Sequence, residues 1–192
     1  EISSISLSVN NTLNIICFSP NNFQGVFEDL KCFGNKIIVK NQSGNVIDYS
    51  ANFITNSLSI KYSGGNKIYT IYCSQEIVPK LTALSDCTNL NEGASGYSLG
   101  ALSNKRVWAL SNISTFENEY NNNYENLRDE ILPQGNDFSF KIWSIDDLSG
   151  APVFQGIREP SFGTRIDAKT LSIEVVNENA TVKKYTINIA IW

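Results

Sequence analysis

Four cysteines, at positions 17, 32, 73 and 87, carry the most distinctive chemistry in this chain of 192 residues. Two close pairs are split by a long interval, a pattern that suggests Cys17–Cys32 and Cys73–Cys87 bridges, although four cysteines allow three connectivities. Each local bridge would close a loop of about 15 residues, for roughly 3 kcal/mol in the chain-entropy model, and would require an oxidising compartment. A zinc site is disfavoured, since the chain has no Cys-x-x-Cys spacing and no histidine. The absence of histidine also removes Ser-His and Cys-His nucleophile pairs and the commonest general base near neutral pH.

Carboxylates are the remaining route to catalysis. Glycoside hydrolysis needs two Asp or Glu at a set separation, and Asp146, Asp147, Glu159 and Asp167 are available in expected turns. Turn chemistry and solubility are the preferred reading of these positions. Asp146-Asp147 lacks the ligand spacing of an EF-hand, and Gly64-Gly65 lacks the context of a phosphate loop. We therefore expect a non-catalytic protein with no catalytic residues, no metal and no cofactor. Trp108 and Trp143 could offer stacking faces to a glycan, Trp143 because it shares a strand face with Ser139 and Lys141.

The surface must be built largely from uncharged polar groups. Charged residues are 18% of the chain, against 24 Asn and 22 Ser, and the net charge is -4. That balance argues against a nucleic-acid groove or a polybasic membrane surface. Four Asn-x-Ser/Thr sequons, at Asn10, Asn41, Asn112 and Asn179, are candidate glycosylation sites and suit a secreted protein. No apolar run approaches the ~18 residues of a membrane span. The chain opens at Glu1 without Met, which reads as a trimmed chain whose targeting segment has been removed.

These residues must be positioned by short strands and one helix. Ile5, Leu7 and Val9 alternate with serines, a half-buried strand that begins near Ile2. Further strands are expected at 13–18, 25–33, 36–40, 46–49, 58–62 and 67–73, with turns at 42–45 and 63–66, and a long loop at 85–100. Residues 105–110 read as another strand. Phe116, Tyr120, Tyr124, Leu127 and Ile131 form one helical stripe over about 115–132, opened by a Ser114/Glu117 capping box and stopped by Pro133 and Gly135. Asn121-Asn122-Asn123 is poor for helix propensity. Strands at 137–145, 153–157, 170–176 and 184–192 follow, the last two paired across 177–180, with Trp192 docked. The expected fold is mainly β with one helix, an antiparallel sandwich or α+β arrangement in one compact unit, with sub-lobes 1–96 and 97–192.

The stretch Tyr120-x-x-x-Tyr124-x-x-Leu127-Arg128-x-Glu130-Ile131, then Pro133-x-Gly135-x-Asp137-Phe138-x-Phe140, resembles the secreted pilin-like, class III type, cell-surface proteins of archaea. The closing strand Ile187-x-Ile189-x-Ile191-Trp192 and the segment Tyr97-Ser98-Leu99-Gly100 add to a similarity covering residues 97–192. The resemblance implies an extracellular filament subunit whose main partner is copies of itself. Such proteins normally begin with a hydrophobic pilin-type helix that this sequence does not contain; either that helix has been trimmed or the chain assembles another way. Residues Ile2, Ile5, Leu7 and Val9 are then the expected assembly strand, added to the sheet edge of a neighbour; pairing within its own subunit is the other reading. A surface-anchored module that binds glycans or another cell is the alternative function.

Overall fold

The computed structural model describes residues 1–11, 15–18, 36–52, 57–82, 84, 88–90, 96–133, 135–146 and 150–192. Cys32, Cys87, Asp147 and the expected strand at 25–33 lie outside them. The architecture is mainly β, with antiparallel sheets and two short helices. The chain divides into two compact units: Glu1–Arg106 with Glu178–Ala180, and Val107–Asn177 with Thr181–Trp192. The division falls after Arg106 rather than after residue 96, because 97–105 is a strand of the first unit.

The first unit holds two sheets. One runs β3 (Ile37–Asn41), β6 (Gly65–Cys73), β1 (Ile2–Asn11), β8 (Tyr97–Lys105). The other runs β4 (Tyr49–Asn52), β5 (Ser57–Lys61), β2 (Ile15–Phe18), β7 (Thr88–Leu90). Leu7, Ile37, Ile38, Val39, Leu58, Ile60 and Ile71 are fully buried. The Tyr49 hydroxyl, also buried, donates to the carbonyl of Ile37 and ties a strand of one sheet to a strand of the other. The 63–66 turn does not return the chain into a hairpin: β5 pairs with β2 and β4 while β6 pairs with β1 and β3, so this connection changes sheets. Gly64 and Gly65 supply the positive φ values, 75° and 82°, that the crossing uses. The expected loop at 85–100 contains β7 and the start of β8.

The second unit is a five-stranded sheet in the order β11 (Phe154–Gly156), β10 (Phe138–Ser144), β13 (Val182–Ile191), β12 (Asp167–Val176), β9 (Trp108–Ala109). All its pairings are antiparallel except β12 with β9, which is parallel and touches only Val175 and Val176. The Asn177 side chain closes the β12–β13 hairpin by accepting the Thr181 N–H at 2.9 Å. The alternation read at 138–143 holds: Phe138, Phe140 and Ile142 are buried, and Ser139, Lys141 and Trp143 are not.

The expected single helix is two. α1 spans Leu110–Asn122 and α2 spans Tyr124–Ile131, broken at Asn123, whose backbone leaves helical values (φ -142°, ψ 38°). The break falls at the end of the asparagine triple, where propensity is weakest. The start also moves. Ala109 is the N-cap, without a side-chain cap bond, so Ser114 and Glu117 lie inside α1 and form no capping box. Tyr120 and Tyr124 anchor the helices nonetheless. The Tyr120 hydroxyl donates to the Phe138 carbonyl at 2.7 Å, and the Tyr124 hydroxyl donates to Asp137 Oδ1 at 2.9 Å while accepting from the Phe138 N–H at 3.0 Å.

Candidate association surface

The strand expected to mediate assembly is engaged inside its own chain. β1 pairs with β6 from Ser3 to Asn11 and, on its other side, with β8 from Ile2 to Val9. Ile2, Ile5, Leu7 and Val9 are all buried. With a neighbour on each side its backbone is committed to the β1–β6 and β1–β8 ladders. This corrects the expectation of a strand ready for a neighbour's sheet. The alternation that suggested it is the pattern of a strand with one face in its own core.

The second unit offers a different surface. Its two helices cover one end of the sheet closely. Tyr120 lies 5.1 Å from Phe138 and 5.3 Å from Phe140, both edge to face, with Phe116 5.0 Å from Phe140. Gly156 on β11 lies beneath: a Cβ there would stand 2.4 Å from Tyr120 Cδ1 and 2.5 Å from Phe140 Cε1. Only glycine lets strand and rings approach this far. Burial pushes the Tyr120 phenol up to about 12, with Tyr124 and Asp137 raising it further and Arg158 opposing. The Arg158 guanidinium sits 3.6 Å from the centre of the Tyr124 ring, a cation–π contact that covers this end.

Toward the other end the cover stops short. An apolar cavity of about 470 Å³ runs from Phe138 and Phe140 on β10 past Ile187 and Ile189 on β13 to Ile173 on β12, with Trp108 at its wall. Asn112 contributes the polar side chain at its wall. Trp108 is 57% exposed and Leu171 42%. Leu171 lies opposite Ile187 and next but one to Ile173, on the same face of the sheet as the cavity.

The two edges of this sheet are treated differently. On β11, the outward N–H of Gln155 is taken by Glu117 Oε1 at 2.8 Å, so the glutamate read as a helix cap instead closes a sheet edge. On β12, the hairpin bond from the Asn177 N–H to the Thr181 carbonyl sets the alternation. Odd-numbered residues turn their backbone groups to β13, and even-numbered ones turn outward. Ala168, Thr170 and Ser172 therefore present N–H and C=O groups at an edge that β9 covers only at Val175 and Val176. The β12–β13 register runs without a bulge from Asp167 to Val176, and no proline interrupts it. Edge strands that are long, regular and free of proline are templates for another strand.

The other candidate residues stay apart. Cys17 and Cys73 are disulfide-bonded. Because a bridged sulfur has no proton, the Ser59 hydroxyl donates to Cys17 Sγ across 2.9 Å. Their partners within the expected pairings, Cys32 and Cys87, fall outside the described residues. Asn10 is exposed on β1 and Asn112 on α1, while Asn179 is half-buried in the turn after β12. The Asn41 side chain accepts from the N–H groups of Ser43 and Asn45, each at 3.0 Å, and so shapes its own turn. Asp146 and Glu159 are exposed, and Asp167 faces Arg165 at 3.3 Å. Among the described residues, no group of three or more Cys, Asp or Glu could hold a metal ion. Trp143 is half-buried on the polar face of the sheet. Among the described residues, no helix is long and apolar enough to cross a membrane.

Comparison with known proteins gives no match to any family model, curated protein or solved structure.

The open edge of β12 is not read from the sequence above, yet a signal exists. Asp167 and Lys169 share the parity of Leu171, Ile173 and Val175. Charges on the core parity of a strand are a feature of edge strands, where they discourage pairing, so Asp167 and Lys169 leave Thr170 to Ile173 as the part of this edge suited to a partner strand.

Proposed function

We propose that this protein is a non-catalytic extracellular structural protein, a subunit of a cell-surface filament built from copies of itself. The observation that carries the reading is the second unit's sheet, which leaves Ala168, Thr170 and Ser172 outward at an edge that no strand among the described residues covers, beside an apolar cavity. Regular backbone groups beside apolar area are what strand addition uses. The low charge, the bridged Cys17 and Cys73, the four sequons and the resemblance of residues 97–192 to archaeal pilin-like proteins support the extracellular part. Pilus-like packing or a donor-strand fibre would each satisfy it; the second needs a strand other than β1. Electron microscopy of native surface material tests the reading. Regular fibres that disappear on deletion of the gene are the expected result, and dispersed particles at every concentration would contradict it.

A second reading, a surface-anchored module that binds glycans or another cell, is favoured by Trp108, more than half exposed at the cavity mouth. An exposed indole offers a rigid stacking face. Trp108→Ala should abolish binding on a glycan array if this reading holds, with no effect on fibres.

A further inference from the structure

We infer that β12 pairs antiparallel with β12 of a second copy of this chain, about a two-fold axis at Leu171. The inference rests on the self-association reading above and names the contact. Its first support is the asymmetry of the sheet. The β11 edge is three residues long and its outward amide is held by Glu117, whereas β12 extends seven residues, Asp167 to Ile173, before the glutamate that precedes the short β9 pairing.

The second support is register. A two-fold perpendicular to a sheet brings side chains of one face together, so paired residues must have the same parity. Centring on Leu171 meets that condition. Thr170 then faces Ser172 of the other copy, with the outward N–H and C=O groups of both available, and the symmetric pair repeats the contact. Leu171 faces its own copy at a non-hydrogen-bonded position, where side chains approach most closely. Lys169 falls opposite Ile173, and the pairing stops there, before Glu174 and the β9 contact at Val175, so no like charges stand directly opposed within it. Centring on Thr170 instead sets both Asp167 and Lys169 against apolar residues, Ile173 and Leu171, and loses the contact between the two Leu171 side chains.

The third support is continuity. Leu171 is the exposed rim of the apolar face formed by Ile173, Ile187 and Ile189. Pairing at Leu171 joins this face to its copy and removes two exposed leucines from water. A two-fold contact closes on itself, so a filament would alternate this contact with another.

Light scattering and sedimentation of the chain across a range of concentrations test the contact. Reversible dimerisation is expected. Ser172→Pro removes an outward N–H without touching the β13 ladder and should weaken dimerisation at least tenfold with unchanged circular dichroism. Leu171→Cys should give a self-linked dimer on oxidation. Lys169→Cys should not, since its copies would lie beyond the ~7 Å reach of a disulfide. A wild-type chain that stays monomeric, or a Ser172→Pro variant that dimerises as well as wild type, would overturn the inference. If fibres persist in Ser172→Pro, the β12 contact is wrong while the filament reading stands. A monomeric wild type without fibres removes both.

Discussion

The two edges of the second unit's sheet, β11 and β12, are finished in opposite ways. At the β11 end, Tyr120, Phe138 and Phe140 interlock over Gly156, Arg158 lies across Tyr124, and Glu117 caps the edge amide. At the β12 end, Leu171 and Trp108 stand exposed beside an apolar cavity, and three residues turn unpaired backbone outward. The first end holds the unit together. The second is where we propose that it acquires a neighbour. Substitutions at the closed end should therefore change stability, and those at the open end should change association.

The largest effect is expected from Phe140→Ala. Phe140 is 1% exposed beside the rings of Phe116 and Tyr120, and its truncation should cost about 3–5 kcal/mol in chemical unfolding. Gly156→Ala comes next. The added methyl meets both Tyr120 and Phe140, so a loss of about 1–3 kcal/mol is expected from overpacking. Alkali should act on the same end, and also on the first unit, where burial likewise pushes Tyr49 and Tyr69 up to about 12. With the folded Tyr120 phenol near 12 and the unfolded one near 10, the unfolded state loses its proton first. Stability is then full below about pH 10 and falls as pH rises toward 12, on the order of 2 kcal/mol, readable in the pH dependence of the melting temperature. Tyr120→Phe removes the bond to the Phe138 carbonyl, costs about 1 kcal/mol and shrinks that alkaline loss. The smallest effect on stability, within about 0.5 kcal/mol, is expected from Leu171→Lys at the open end. That same change should cause the largest loss of association by setting two like charges together, measured by light scattering. A reversal of this order would break the contrast between the two ends.

Much of the closed end was legible in the sequence. The spacing of Phe116, Tyr120 and Tyr124 and the alternation of Phe138, Phe140 and Ile142 give both the helical face and the strand face that it meets. Periodicity reports which face of an element is buried. It does not report which neighbour lies alongside, so β1 could be read as a free strand and the 63–66 turn as a hairpin, although both are settled by distant pairings. The Ser114/Glu117 pattern failed for a related reason. A local motif competes with tertiary contacts, and Glu117 serves Gln155 on a strand 38 residues away. The open edge depended on both kinds of information, parity from the sequence and strand order from the fold.

Amide hydrogen exchange on β12, compared between dilute and concentrated protein, tests the central claim most directly. The odd-numbered amides, bonded to β13, should be protected at both concentrations. Protection of the Thr170 and Ser172 amides should appear only in the concentrated sample, where a second copy covers the edge. If those two amides exchange freely while the protein is associated, copies meet elsewhere and the account of this edge is contradicted.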